Sequence, residues 1–202
     1  MFAYCNKNPV NHADPSGNSL IGVILGAIVC ALVLSGCGPK PQSDVGAAKP
    51  YVEVPGSHDK NSPNCYAFAI GSPVNEQPGA TSGRIPTRYY DVYDVGESVE
   101  QDLVAKGYTV RVIDGPDAKV YDNEFKIALR VGTMPYGITE SGNLLFDYHF
   151  MRQTDTGQWA EKHGIGGTSI LWDVGMTPDT IPWTIEGIPY YDSDIIYYAI
   201  GE

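Results

Sequence analysis

From residue 108 to the end of the chain, apolar and polar residues alternate in short runs broken by turn formers. The runs are YTVRVID (108–114), EFKIALRVG (124–132), NLLFDYHFMRQ (143–153), QWAEKHG (158–164), SILWDVG (169–175) and DIIYYAIG (194–201). A period of two sends successive side chains to opposite faces, which a strand satisfies and a helix does not. TDTG (154–157) between the third and fourth runs is a hairpin signal, so those two strands are antiparallel neighbours. Helical patterning comes earlier. NSPNCYAFAIG predicts a short helix at 64–71, with Ser62 or Asn64 as cap and Pro63 in its first turn. ESVEQDLVAK predicts a second at 97–106, with Val99 and Leu103 on one face and Gly107 as the stop. The expected fold class is therefore α+β, with one or two leading helices packed on an antiparallel sheet. The 23 glycines and 15 prolines agree with a turn-rich, strand-containing chain.

The first 60 residues read differently. Residues 1–18 are polar and full of turn dipeptides, 19–37 carry no charge, and 38–60 form a linker of Pro, Gly, Ser and Lys ahead of a folded domain at 61–202. The apolar core of the middle zone, Leu20 to Leu34, is 15 residues long, short of the roughly 20 that a helical span needs. It is a membrane-interacting, transmembrane-like segment by this reading. The alternatives are a buried core helix and a lipoprotein signal, for which LSGC (34–37) supplies a candidate lipidated Cys37 but Lys7 alone supplies the cationic front.

Charge excludes one class of partner. The net charge is -11, and Lys7, Lys40 and Lys49 against Asp14 and Asp44 leave the first 50 residues close to neutral. The acidity lies in the domain, and an acidic surface repels phosphate backbones, so no nucleic-acid partner is expected.

The domain has one cysteine, Cys65, and three histidines, His58, His149 and His163. One thiol makes neither a disulfide nor a multi-cysteine metal site, and nothing in the pattern calls for a cofactor. Cys65 is either a small buried hydrophobe or a nucleophile. Its position at a helix start, where free N–H groups and the dipole favour a thiolate, points to the second. Asn64, and Asn61 behind it, are candidate oxyanion donors. His149 is the candidate base. It shares a face with Leu145, Asp147 and Met151, while Phe146, Tyr148 and Phe150 form the core face. Across the TDTG hairpin, an odd loop register sets Glu161 or His163 on the His149 face and an even one sets Lys162 there. Glu161 is the expected third member, with Asp173 the runner-up. His58 sits in the linker with no catalytic role.

Two resemblances add to this. FAYCNKNPVNHADPSG (2–17) resembles the motif that closes an RHS/YD-repeat core, with Phe2 at the leading aromatic and Lys7 where asparagine is usual. The resemblance implies that a C-terminal toxin follows, that the chain is secreted or on a cell surface for delivery into a target cell, and that a cognate immunity protein accompanies it. Separately, NCYAFAIG, QPG, KIALRVG and DYHFMRQTDTGQWAEKHG resemble small bacterial proteins of the papain-like, NlpC-like cysteine hydrolase kind, with Glu161 standing where histidine is usual. That resemblance implies a helix bearing the Cys65 nucleophile on an antiparallel sheet, His149 as base, and action on an amide bond in a protein substrate. Peptide hydrolysis, glutamine deamidation and transamidation share these parts. A lipid-anchored envelope hydrolase acting on peptidoglycan and a non-enzymatic membrane-active module are the alternatives.

Overall fold

The structure is a computed structural model and describes residues 41–202. Everything below belongs to the compact unit Gln42–Glu202. The RHS-like motif at 1–18 and the apolar run at 19–37 lie outside the described residues. The expected membrane association is corrected here, because no helix of the described residues is long and apolar enough to cross a membrane.

The fold is α+β. Its helices are α1 (Cys65–Ile70) and α2 (Val92–Ala105). The strands are β1 (Gln42–Ser43), β2 (Thr109–Ile113), β3 (Val120–Tyr121), β4 (Glu124–Val131), β5 (Gly137–Ile138), β6 (Leu144–Leu145), β7 (Tyr148–Gln153), β8 (Trp159–Lys162), β9 (Ser169–Leu171), β10 (Thr184–Ile185), β11 (Ile188–Pro189) and β12 (Ile196–Gly201). Six of them form one sheet in the order β2-β12-β4-β7-β8-β9, and every neighbouring pair is antiparallel. The last strand is thus inserted between β2 and β4, and the chain end completes the sheet. The remaining strands pair as three two-stranded ribbons.

Strand alternation divides the core in two. Phe125, Ile127, Leu129 and Val131 of β4, Tyr148 and Phe150 of β7, and Tyr198 and Ile200 of β12 pack against Tyr66, Ala69, Val95, Val99 and Leu103 of the helices. The intervening residues Ala128, Met151, Tyr197 and Ala199 face the other way, onto Ile181, Trp183 and Tyr191. Both faces are therefore dry, and the chain between β9 and β12 supplies the second cover.

Asn64 caps α1, its side-chain oxygen accepting the Ala67 N–H at 2.9 Å, and Gly71 at φ 77° ends it in a left-handed turn. Helix α2 begins five residues before the expected start, capped by Asp91. Its buried stripe is Val92, Val95, Val99 and Leu103, a helical spacing hidden by Gly96. That glycine is needed for close approach, since a Cβ there would lie 2.5 Å from the Tyr198 hydroxyl. Asp102 ties the two helices together by accepting the Tyr66 hydroxyl at 2.9 Å and the Thr81 N–H at 2.6 Å.

Two other boundaries differ from expectation. Part of the segment read as linker is packed. Ala47 donates to the Glu124 carbonyl at 2.6 Å, Val54 exchanges bonds with the side chain and backbone of Ser169, and Ser57 donates to the Ile165 carbonyl. This segment lies beside β9, the edge of the main sheet, where unpaired backbone groups would otherwise be exposed. The run 143–153 is also not one strand. It breaks at Phe146–Asp147, where the Asp147 carbonyl accepts from Gly132 and the Tyr191 hydroxyl donates to the Asp147 side chain.

Candidate active site

The break before β7 opens a cavity of about 570 Å³ over the start of that strand, and Cys65, Gln77, Asp147, His149 and Tyr191 are among the residues that line it. The register of the β7–β8 hairpin settles the choice left open by the loop. Met151 lies opposite Glu161 and Arg152 opposite Ala160, so His163 falls opposite His149 and both odd-numbered residues of β8 share its face. Lys162 is on the other face, where its ammonium donates to the carbonyls of Gly164, Ile165 and Gly167 and shapes the turn that walls the cavity.

His149 is 1 % exposed and its ring is held from several sides. It stacks on His163 at 4.6 Å and on Tyr191 at 5.2 Å, with the edge of Trp183 at 5.9 Å. Its Nε2 lies 2.9 Å from Glu161 Oε2, and His163 Nε2 lies 3.2 Å from the other carboxylate oxygen. Burial pushes the Glu161 carboxyl up, but the two imidazole hydrogen bonds outweigh it and hold its pKa at about 2. Glu161 is thus an anion, and an anion accepts. It accepts the Nε2–H of His149 and leaves Nδ1 as the ring nitrogen not engaged with Glu161. His163 is raised above the ordinary range by the Glu161 hydrogen bond, with burial opposing.

Cys65 is the first residue of α1 and 6 % exposed. By strand alternation it packs on the Tyr148 and Phe150 side of β7, while the His149 side chain leaves from the opposite side; both are among the residues that line the cavity at the strand end. The thiol donates to the Tyr148 carbonyl at 3.8 Å. The thiolate–imidazolium pair expected from sequence is therefore not preformed: among the described residues the sulfur's hydrogen bond goes to backbone. Burial raises the thiol pKa, and the nearby Asp147 carboxylate raises it further, while N–H groups of Tyr66, Phe150 and Cys65 itself pull the other way. The resting sulfur is a neutral thiol.

Asn64 uses its oxygen on the helix cap and donates one Nδ2 hydrogen to the Glu76 carbonyl at 2.6 Å, which leaves the second Nδ2 hydrogen, and it lines the cavity beside Cys65. Asn61 is exposed and its carbonyl accepts from Asn75. Gln77 lines the same cavity. Its oxygen accepts the Tyr148 hydroxyl, which orients the amide and leaves the NH₂ group for the cavity. Asp173 is exposed in the turn after β9 and is not among the lining residues. Sequence reasoning missed Gln77, Asp147 and Tyr191 as site residues; the QPG block and the position of Asp147 on the His149 face were the available signals.

No protein-family model matches this chain, and no curated protein and no solved structure matches it either.

Proposed function

We propose that the domain is a cysteine-dependent amide hydrolase of papain-like type, with Cys65 as nucleophile, His149 as base and Glu161 as the group that orients it. One observation carries the reading: an ionised carboxylate holds the buried His149 ring by Nε2 at 2.9 Å while the same residue lines a cavity with Cys65. A histidine that only filled the core would not need an anion to set its tautomer.

The chemistry follows from these parts. As a substrate enters, the thiol turns from the Tyr148 carbonyl to His149 Nδ1 and gives it the proton. The sulfur electron pair then forms a bond to the amide carbon, and the carbonyl π pair moves to oxygen. That oxyanion meets the Cys65 N–H and the Gln77 amide. Collapse of the tetrahedral species breaks the C–N bond, and the imidazolium proton leaves with the amine. Water, deprotonated by Nδ1, releases the acyl group and restores the thiol. Glu161 stays ionised throughout and stabilises the imidazolium. With a side-chain amide of glutamine as substrate the same steps are a deamidation.

The RHS-like motif at 2–17 places this activity, in our reading, in an effector module that acts on a protein and is matched by a cognate inhibitor. Cell lysate incubated with the protein or with Cys65→Ala tests the proposal by mass spectrometry. New peptide termini or deamidated glutamines are expected with the parent protein alone. The same products from a folded Cys65→Ala protein would refute it.

A further inference from the structure

His149, Glu161 and His163 converge more closely than base orientation requires. A single histidine–carboxylate pair fixes a tautomer; here a second imidazole takes the other carboxylate oxygen, and the three ligand atoms lie within 4.8 Å of one another. Two imidazole nitrogens and one carboxylate are a donor set for zinc-like divalent cations, as opposed to the all-oxygen sets that calcium and magnesium take. In a tetrahedral zinc site the bond lengths of about 2.0–2.2 Å place neighbouring ligand atoms about 3.3 Å apart. The two nitrogen–oxygen separations, 2.9 and 3.2 Å, are within a few tenths of that spacing. His149 and Glu161 are rigid, each 1 % exposed, and His149 is clamped by Tyr191 and Trp183. The His163 side chain is 30 % exposed and opens the cluster to solvent, leaving a fourth position for water.

We propose that His149, Glu161 and His163 form a Zn²⁺ site. A cation bound there replaces the hydrogen bonds by which Glu161 holds the two imidazoles. On the hydrolase reading above it also ties up the base, so Zn²⁺ switches the domain off. The binding does not depend on that reading; the inhibition does.

The test uses the full chain stripped with a chelator. Zn²⁺ is titrated in by calorimetry, and Co²⁺ is used as a spectroscopic probe of tetrahedral coordination. Because a change of a supporting residue already costs ten- to a hundredfold in affinity, His163→Ala and Glu161→Gln are expected to weaken one Zn²⁺ equivalent by at least about a hundredfold. The exposed His58→Ala serves as control and keeps it. Circular dichroism establishes that the variants fold, and His163→Ala, at the partly exposed position, decides the matter if Glu161→Gln does not. Zn²⁺ bound equally by parent, His163→Ala and Glu161→Gln proteins, or not bound by the parent, overturns the proposal. The two readings fail separately: Zn²⁺ lost in His163→Ala with no Cys65-dependent product anywhere leaves the metal site and removes the hydrolase. Cys65-dependent product that Zn²⁺ leaves unaffected, with no binding to the cluster, does the reverse.

Discussion

Replacing Glu161 by glutamine separates the charge of that side chain from its shape. The glutamine oxygen still accepts the Nε2–H of His149, and its NH₂ can donate to His163, so tautomer and packing are kept. What is lost is the anion beside the imidazolium that forms when Cys65 gives up its proton. The contact is 2.9 Å, and the centres of the two delocalised charges are about 4 Å apart, worth about 4 kcal/mol at an effective dielectric of about 20. If the imidazolium is fully formed in the transition state, that is about a thousandfold in rate. The assay needs no knowledge of the natural substrate: p-nitrophenyl acetate acylates a reactive thiol and releases nitrophenolate in a burst. The Cys65-dependent burst is expected to slow by about a thousandfold in Glu161→Gln, with melting behaviour close to that of the parent. An unchanged burst rate in a folded variant would show that the carboxylate does not stabilise the imidazolium, and the argument for Glu161 would fail.

Other perturbations test the surrounding structure. Iodoacetamide should label Cys65 more slowly at neutral pH than it labels a free thiol, because burial and Asp147 raise the thiol pKa; labelling as fast as a free thiol would contradict the buried, neutral state. Gly96→Ala gains about 1 kcal/mol of helix preference but drives a Cβ against the Tyr198 hydroxyl, an overpacking that costs about 1 to 3 kcal/mol, so the denaturant midpoint should fall. At Asp94, burial opposes ionisation, but Arg84 and the N–H groups of Thr87 and Arg88 outweigh it and hold the pKa at about 2. A depressed carboxyl stabilises the fold fully above its unfolded pKa and loses that contribution as pH falls towards the folded one. The stability of Asp94→Asn should therefore change less than that of the parent between pH 4 and pH 2. A chain beginning at residue 61 lacks the Ala47–Glu124 and Val54–Ser169 bonds and should melt lower or aggregate through the exposed β9 edge.

What could be read from sequence was local. The period of two located β2, β4, β8 and β12 to within a residue or two and the end of β7, though not its start, and the TDTG hairpin put β8 beside β7. Asn64 and Gly71 marked both ends of α1. The misses have long-range causes. The start of α2 is obscured by Gly96, whose purpose is visible only when β12, more than 90 positions later, brings Tyr198 against it. The break at Phe146–Asp147 depends on Gly132 and Tyr191, and the packing of residues 47–57 depends on Glu124, Ile165 and Ser169. Within the site, Cys65, His149 and Glu161 were each legible as residue types on the right elements. The face of β7 that carries His149 was set apart from the core face; Trp183 and Tyr191, from a stretch with no strong periodicity, bury it. Asn64 illustrates a different limit. Its role as a cap was visible, but the bond from its Nδ2 to the Glu76 carbonyl, 12 positions on, was not.

The central claim is that the Cys65 sulfur attacks an acyl carbon after handing its proton to His149. Peptide mapping of protein treated with p-nitrophenyl acetate measures this directly. The account predicts an acetyl group on Cys65 in the parent and its loss in His149→Ala that still folds, with any lysine acetylation equal in both. An acetyl group on Cys65 to the same extent in His149→Ala, or none on Cys65 in the parent, would contradict it.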